Sequence, residues 1–214
     1  ILSKFNLLFF SILFDTPPDI ILQCWIIFYT KIIAIKREKY KMNHFIEALE
    51  SSLDTQNWYS VLFISLTLPD ICGKIDEPNE TSKKRTINWF NKYLKPIYTS
   101  NIGADHREHI FLSGSDFYAL RCAYLHEGSD DITSQNAQDI LEKFKFIQPI
   151  TSNICIHRNQ SNTTLQLQVD KFGKEILDAL RKWTIDISKD PEKLSKIDRL
   201  LRIEMIDLSK GFSF

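Results

Sequence analysis

Glycine and proline are scarce in this chain, with 6 glycines and 7 prolines among 214 residues. A sandwich or barrel of many short strands needs more of these turn-forming residues, so their scarcity favours long helices. No excess of either charge is present, because 27 lysines and arginines balance 27 aspartates and glutamates. Hydrophobic residues at 43% and charged residues at 25% are ordinary for a globular protein, which excludes collagen-like, disordered and disulfide-scaffold classes. The length suits one large domain, or a domain with an appendage.

Paired cysteines are absent as well. The four cysteines are widely separated, at Cys24, Cys72, Cys122 and Cys155. Because the sequence contains no recognisable export signal, we expect reduced thiols and a cytoplasmic location. His106 and His109 could face a metal ion from one helix, but no cysteine or carboxylate pair completes a ligand set. The sequence also has no glycine-rich phosphate loop and no nucleophile elbow, so we expect neither a metal nor a cofactor.

The first 41 residues differ in composition from the rest, with nine Ile, five Leu and five Phe but one Ala and no Gly or Val. Translated AT-rich DNA gives this composition, and codons for residues 36–41 can contain a purine-rich ribosome-binding sequence just before Met42. We therefore interpret residues 1–41 as translated upstream sequence and expect the protein to begin at Met42. The alternative is a membrane anchor, since residues 19–35 are nearly long enough to cross a bilayer and a basic segment follows them.

Residues 42–214 carry 21 basic and 24 acidic residues, so they lack the basic footprint of a protein that binds duplex nucleic acid. Any contact with nucleic acid must be local. The one basic concentration contains Lys83, Lys84, Arg85, Lys92 and Lys95. Its simpler interpretation is a solvated helix face.

Hydrophobic spacing from Met42 onward predicts a single, mostly α-helical bundle that ends near Ser209. Its centre is expected to be an apolar helix from Trp58 to Cys72, which Pro69 kinks or ends, followed by a loop over 73–82. Other helices are predicted after the capping residues Thr81 or Ser82, Ser113 and Asp190. Helical spacing also marks Ala137 to Phe144 and Phe172 to Trp183.

One change of period interrupts the helices. Ile154 to Ile156 and Leu165 to Val169 alternate around a polar turn at 159–162, which predicts a single β-hairpin over 153–169. Residues 97–112 are expected to be irregular. The predicted core contains Leu62, Leu66, Trp89, Leu120, Phe144, Leu177, Leu180 and Trp183.

The segment 117–128, Phe-Tyr-Ala-Leu-Arg-Cys-Ala-Tyr-Leu-His-Glu-Gly, is the most informative part of the sequence. Arg121 lies on an apolar stripe with Leu120 and Tyr124, where a guanidinium must find an acceptor or line a cleft because burying it unpaired is costly. In a straight helix, residues five apart differ by about 140° around the axis. His126, however, falls in the last turn before Gly128, where unwinding could bring it toward Arg121.

An Arg and a His separated by four residues near a helix end resemble the HEPN superfamily (higher eukaryotes and prokaryotes nucleotide-binding), whose members are small helical bundles. The likeness covers residues 113–131, and Cys122 stands where that family usually has a polar residue. The resemblance implies a metal-independent endoribonuclease that acts as a homodimer, with Arg121 and His126 as catalytic residues. It further implies single-stranded or transfer RNA as substrate, a cognate protein partner, and a role as a toxin or defence effector. Residues 68–73 and 120–128 also resemble bacterial proteins of unassigned function.

Two interpretations of the motif remain open. In the catalytic one, His126 takes the proton from a ribose 2′-hydroxyl and Arg121 stabilises the charge that develops on the phosphorane. Tyr124, Glu127 and Asp116 are then supporting residues.

In the structural interpretation, the chain is a non-catalytic helical interaction or scaffold protein. Arg121 forms a buried or dimer-interface ion pair with Asp116, Glu127 or Asp130, and His126 caps the end of its helix, where the helix dipole favours a cation. We also expect Asp70 to be a local cap and residues 157–159 to form a solvated turn.

Overall fold

Helices dominate the computed structural model, which describes residues 42–150 and 154–203. Of these residues 52% are helical and 14% lie in strands. The predicted mostly α-helical class is therefore confirmed. The predictions for residues 1–41 and for a domain end near Ser209 lie outside the described residues.

The central helix is α2, which packs against α1, α3 and α5. The six helices are α1 (Asn43–Asp54), α2 (Trp58–Asp76), α3 (Ser82–Tyr93), α4 (Gly114–Glu127), α5 (Val169–Ile187) and α6 (Pro191–Ile197). All eight residues of the predicted core are buried. Helical spacing of large apolar residues found the seven that lie on helices, because each helix buries one face against the same centre, whereas Phe144 is buried on a strand.

Pro69 does not end α2, which continues to Asp76, so the predicted loop started four residues too early. A proline inside a helix removes one backbone hydrogen bond. The turns beyond it are held by packing instead: Cys72 is fully buried, and Gly73 lies directly against α3. A Cβ atom at Gly73 would lie 2.7 Å from the carbonyl oxygen of Arg85, so this close approach requires glycine.

The capping residues were predicted correctly. The side chain of Thr81 accepts a hydrogen bond at the start of α3, that of Ser113 does so at the start of α4, and that of Asp190 accepts two at the start of α6. Each satisfies backbone N–H groups that the first turn of a helix leaves free.

The strands form two small sheets rather than one hairpin. Strands β1 (Thr99–Ile102) and β2 (Arg107–Ile110) form an antiparallel hairpin within a segment that was expected to be irregular. The second sheet has the order β3–β5–β4, where β3 is Lys143–Ile147, β4 is Asn159–Ser161 and β5 is Thr164–Gln168. Strand β3 is parallel to β5, and β4 is antiparallel to it. In the described ranges, no sheet has four strands.

The predicted helix from Ala137 to Phe144 is wrong. The carboxylate of Asp116 accepts hydrogen bonds from the backbone N–H groups of Asp139, at 2.8 Å, and Ile140, at 3.2 Å. These hydrogen bonds to a residue of α4 replace those that a helix would form, and they hold the segment as a loop. Phe144 is buried because it lies on the inner face of β3.

The predicted hairpin over 153–169 is correct only in its second half. Residues 154–156 form no strand, and the expected turn residues Asn159 to Ser161 are themselves strand β4. The actual turn contains Asn162, whose backbone has a φ of 51°. Asparagine tolerates this left-handed conformation better than most residues.

Candidate functional site

Arg121 lies in the middle of α4 and forms an ion pair with a residue of α2. Its Nη2 donates a hydrogen bond to Oδ2 of Asp70 at 2.9 Å. The two side chains are only 16% and 11% exposed. The structural interpretation named Asp116, Glu127 and Asp130 as partners, all close in sequence, and within the chain all three are wrong.

Asp70 is the centre of a charged cluster, not a helix cap. Besides the bond from Arg121, it accepts hydrogen bonds from Nε of Arg85 at 2.7 Å and from the hydroxyl of Thr86 at 3.2 Å, both on α3. Burial alone would raise the pKa of Asp70, but the Arg85 hydrogen bond and the Arg121 charge outweigh it and hold the pKa below its ordinary value. The carboxylate therefore stays ionised and joins three helices, α2, α3 and α4.

The cluster leaves one buried polar atom of Arg121 without a partner. Its Nε is buried and has no hydrogen-bond partner in the described part of the chain. The guanidinium carbon lies 5.9 Å from the centre of the Tyr118 ring, at the outer limit of a cation–π contact. Arg121 is thus held by one carboxylate and one ring on the inner side of α4.

His126 is in a different environment, exposed in the last turn of α4. The helix does not unwind before Gly128, which ends it in the left-handed conformation with a φ of 66°. Arg121 and His126 therefore differ by about 140° around the helix and about 7.5 Å along it. The structure brings Arg121 to Asp70 but does not place His126 on the same face of α4.

The three predicted supporting residues have other partners. Asp116 is fully buried and binds the hydroxyl of Ser113 and the loop that follows α4. Glu127 accepts a hydrogen bond from the side chain of Gln135 at 3.0 Å. Tyr124 packs against Phe63, with ring centroids 5.0 Å apart.

Tyr59, Phe63 and Tyr124 together form what we call the aromatic surface. Tyr59 is 75% exposed and Phe63 48% exposed, one helical turn apart on α2. Burial raises the pKa of Tyr124, and the nearby Tyr59 adds to this effect. The aromatic surface thus joins α2 and α4 on the outside of the protein.

A second polar cluster was not predicted. Nε2 of His157 lies 3.0 Å from one carboxylate oxygen of Glu175, and the hydroxyl of Tyr98 donates to the other. Nδ1 of His157 accepts from the backbone N–H of Gln168 at 3.2 Å, so the ring hydrogen belongs on Nε2. The His157 side chain is 6% exposed, and the expected solvated turn is therefore wrong for this residue. No spacing signal could have found a cluster whose members are so far apart in sequence.

The two closely spaced histidines do not share a helix. His106 lies in the turn between β1 and β2, and His109 lies on β2, where its Nε2 is 2.9 Å from Oε1 of Gln160. Within the described ranges, no group of three or more His, Cys, Asp or Glu side chains could hold a metal ion. Over the same residues, no helix is long and apolar enough to span a membrane. Cys72, Cys122 and Cys155 are free thiols.

Comparisons of the chain with protein-family profiles, with curated proteins and with solved structures find no match. The resemblance to the HEPN superfamily therefore depends on residues 113–131 alone.

Proposed function

We propose that this chain is a helical interaction module that forms a homodimer through the aromatic surface of α2 and α4. The observation that carries the proposal is the exposure of Tyr59 and Phe63, one helical turn apart on α2, with the Phe63 ring in contact with Tyr124. Adjacent exposed aromatic side chains are enriched at protein interfaces, where they bury much apolar area at a low cost in conformational entropy.

The ion pair of Arg121 and Asp70 supports this role because it joins the two helices that carry the aromatic surface. The Phe63–Tyr124 ring contact and the Asp70–Arg121 ion pair join the same two helices, α2 and α4. The charged cluster therefore helps to hold together the two helices that carry the aromatic surface. A surface on two fixed helices loses little freedom when it binds a partner.

The oligomeric state of the full chain tests this proposal. Light scattering or sedimentation should find a dimer, and Phe63→Ser should weaken dimerisation at least tenfold, because it removes an aromatic contact from the interface. Ile185→Ser is the matched control, since Ile185 is also an exposed apolar residue but lies on α5. A chain that is monomeric at every concentration, or that loses dimers equally in both variants, contradicts the proposal.

The second candidate is the metal-independent ribonuclease that the HEPN resemblance implies. It is favoured by one observation: the His126 imidazole is exposed and forms no hydrogen bond or ion pair with any described residue, so its nitrogens are available for proton transfer. The separation of about 140° between Arg121 and His126 prevents one helix from presenting both to one phosphate. A catalytic site would then combine motifs from two copies of the chain, and Arg121 would have to exchange Asp70 for the phosphate.

Cleavage of single-stranded or transfer RNA in the presence of EDTA tests the second candidate. His126→Ala removes the base and should lower the rate about 10²-fold or more, and a substrate with 2′-deoxyribose should survive because it lacks the nucleophile. If the chain forms a dimer but does not cut RNA, the interaction module is supported and the ribonuclease is rejected. If a monomer cuts RNA, a catalytic site shared between two copies of the chain is rejected.

A further inference from the structure

A cavity of about 410 Å³ lies between α2, α3 and the end of α6, on the outer side of Asp70. We propose that it binds a small aliphatic phosphate monoester, with the phosphate on its basic rim and the alkyl chain on its apolar wall. The volume is within the range of sites for small organic ligands. The proposal does not depend on dimerisation, because none of the aromatic surface lines the cavity.

The rim of the cavity is basic. Lys74, Arg85, Lys196 and Arg199 line it, and the one carboxylate in the lining is that of Asp70. That carboxylate is already neutralised by Arg85 on the cavity side and by Arg121 behind it. A bound phosphate therefore experiences a net positive potential at the rim, because the neutralised Asp70 carboxylate repels it only weakly.

Most of these positive charges are weakly engaged within the protein. Lys74 donates to the backbone carbonyl of Pro78, which carries no charge. Lys196 pairs with Glu192, which is largely exposed to solvent. Among the described residues, nothing forms a hydrogen bond or ion pair with the Arg199 side chain.

Arg85 completes the anion site in a fixed orientation. Its Nε donates to Asp70 and its Nη1 to the backbone carbonyl of Glu80 at 3.4 Å, which fixes the guanidinium plane, while its Nη2 donates to no described residue. A guanidinium fixed in this way can present donors to phosphate oxygens, and two lysines and a second arginine add charge around them.

The wall of the cavity selects the rest of the ligand. Its apolar residues are Ile71, Ile75, Pro78 and Leu200, all aliphatic. Among the described residues, no aromatic ring lines the cavity, so it offers no platform on which a planar base could stack. An alkyl chain can bury its surface against these side chains without any directional contact. The combination of basic rim and aliphatic wall fits an alkyl phosphate.

Calorimetric titration of the full chain with octyl phosphate, below its micelle concentration, tests the proposal. Octyl phosphate should bind, while inorganic phosphate and octanol should each bind at least tenfold more weakly because each supplies half of the contacts. Added salt should weaken the binding. Equal affinity for inorganic phosphate, or no binding of octyl phosphate, overturns the proposal. Binding to anionic phospholipid vesicles without binding of monomeric octyl phosphate also overturns it, since a membrane surface is then the ligand.

Two exposed arginines near the end of α6 provide a matched pair of variants. Arg199→Gln removes a charge from the rim and should weaken binding of octyl phosphate about tenfold. Arg202→Gln removes the same charge three residues later, outside the cavity, and should leave the affinity unchanged. Because both residues are exposed, neither variant should unfold the protein. Equal effects of the two variants would show that only the net charge matters, and the assigned site would be wrong.

Discussion

The middle of α4 and its last turn differ in environment, although only five positions separate Arg121 from His126. The Arg121 side chain is 16% exposed and bound to a carboxylate of α2, whereas His126 is exposed to solvent. Spacing in a sequence gives a position along a helix but not the surroundings of that position. A two-residue motif therefore defines a site only when the neighbouring helices are known.

The largest expected effect is on the buried side of this comparison. Asp70→Asn removes the charge that Arg85 and Arg121 share, and should lower the free energy of unfolding by about 3 kcal/mol because two poorly solvated cations lose their counter-ion. Denaturant titration measures the change. Asp178→Asn is the control, because Asp178 pairs with Arg181 in solvent and should matter little. Similar losses in both variants would mean that the cluster does not stabilise the helices.

Acid should remove the advantage of the native Asp70. Because its pKa is lower in the folded than in the unfolded protein, its stabilising contribution is complete above the unfolded value of about 3.9 and is lost as pH falls through the folded value. The difference in unfolding free energy between the native chain and Asp70→Asn should therefore be constant near neutrality and shrink below about pH 4. Measuring both chains across this range removes the contribution of other carboxylates. A difference that persists unchanged in acid would contradict the low pKa.

The second buried cluster extends the comparison to the β-sheet side of the protein. Tyr98→Phe removes the hydroxyl that donates to Glu175 and should cost about 1 kcal/mol. The matched change Tyr59→Phe removes an exposed hydroxyl and should have almost no effect on stability. Thermal or denaturant unfolding of the two variants distinguishes these outcomes. If Tyr98→Phe is also neutral, the cluster of His157 and Glu175 does not need Tyr98.

Local chemistry explains what the sequence alone could predict. The capping oxygens of Thr81, Ser113 and Asp190 act within three residues of themselves, and so the starts of three helices were correct. Helical spacing identified the helical part of the core for the same reason, since it reports which face of a helix is apolar; Phe144 lies on β3 instead. The end of α2 was predicted too early at Pro69. The backbone hydrogen bond that this proline removes is offset by packing against a helix farther along the chain.

Contacts between distant segments account for the errors. Asp70 and Arg121 are 51 residues apart, and no spacing rule joins them. The first two residues of β3 were assigned to a helix because the partner strand, β5, follows after a long connection. The rest of that predicted helix does not form because Asp116 binds the backbone amides of residues 139 and 140. The candidate site could be predicted as a position on α4, but its partners depend on how α2 and α3 pack.

The smallest expected effect on stability comes from His126→Ala, and it separates the two interpretations of the motif. His126 is exposed, so the change should alter the free energy of unfolding by no more than about 0.5 kcal/mol, through its modest interaction with the end of the helix dipole. Arg121→Ala should lower the free energy of unfolding several times more, because Asp70 then keeps only one of its two arginine partners. Loss of RNA cleavage in Arg121→Ala could thus reflect a loosened α4, while loss in His126→Ala could not. If His126→Ala is fully folded and cuts RNA at the native rate, His126 is not the base, and the mechanism that the HEPN resemblance implies is wrong. If cleavage falls about 10²-fold with stability unchanged, His126 in the exposed last turn of α4 takes part in catalysis, and Arg121 in its buried middle stabilises the fold.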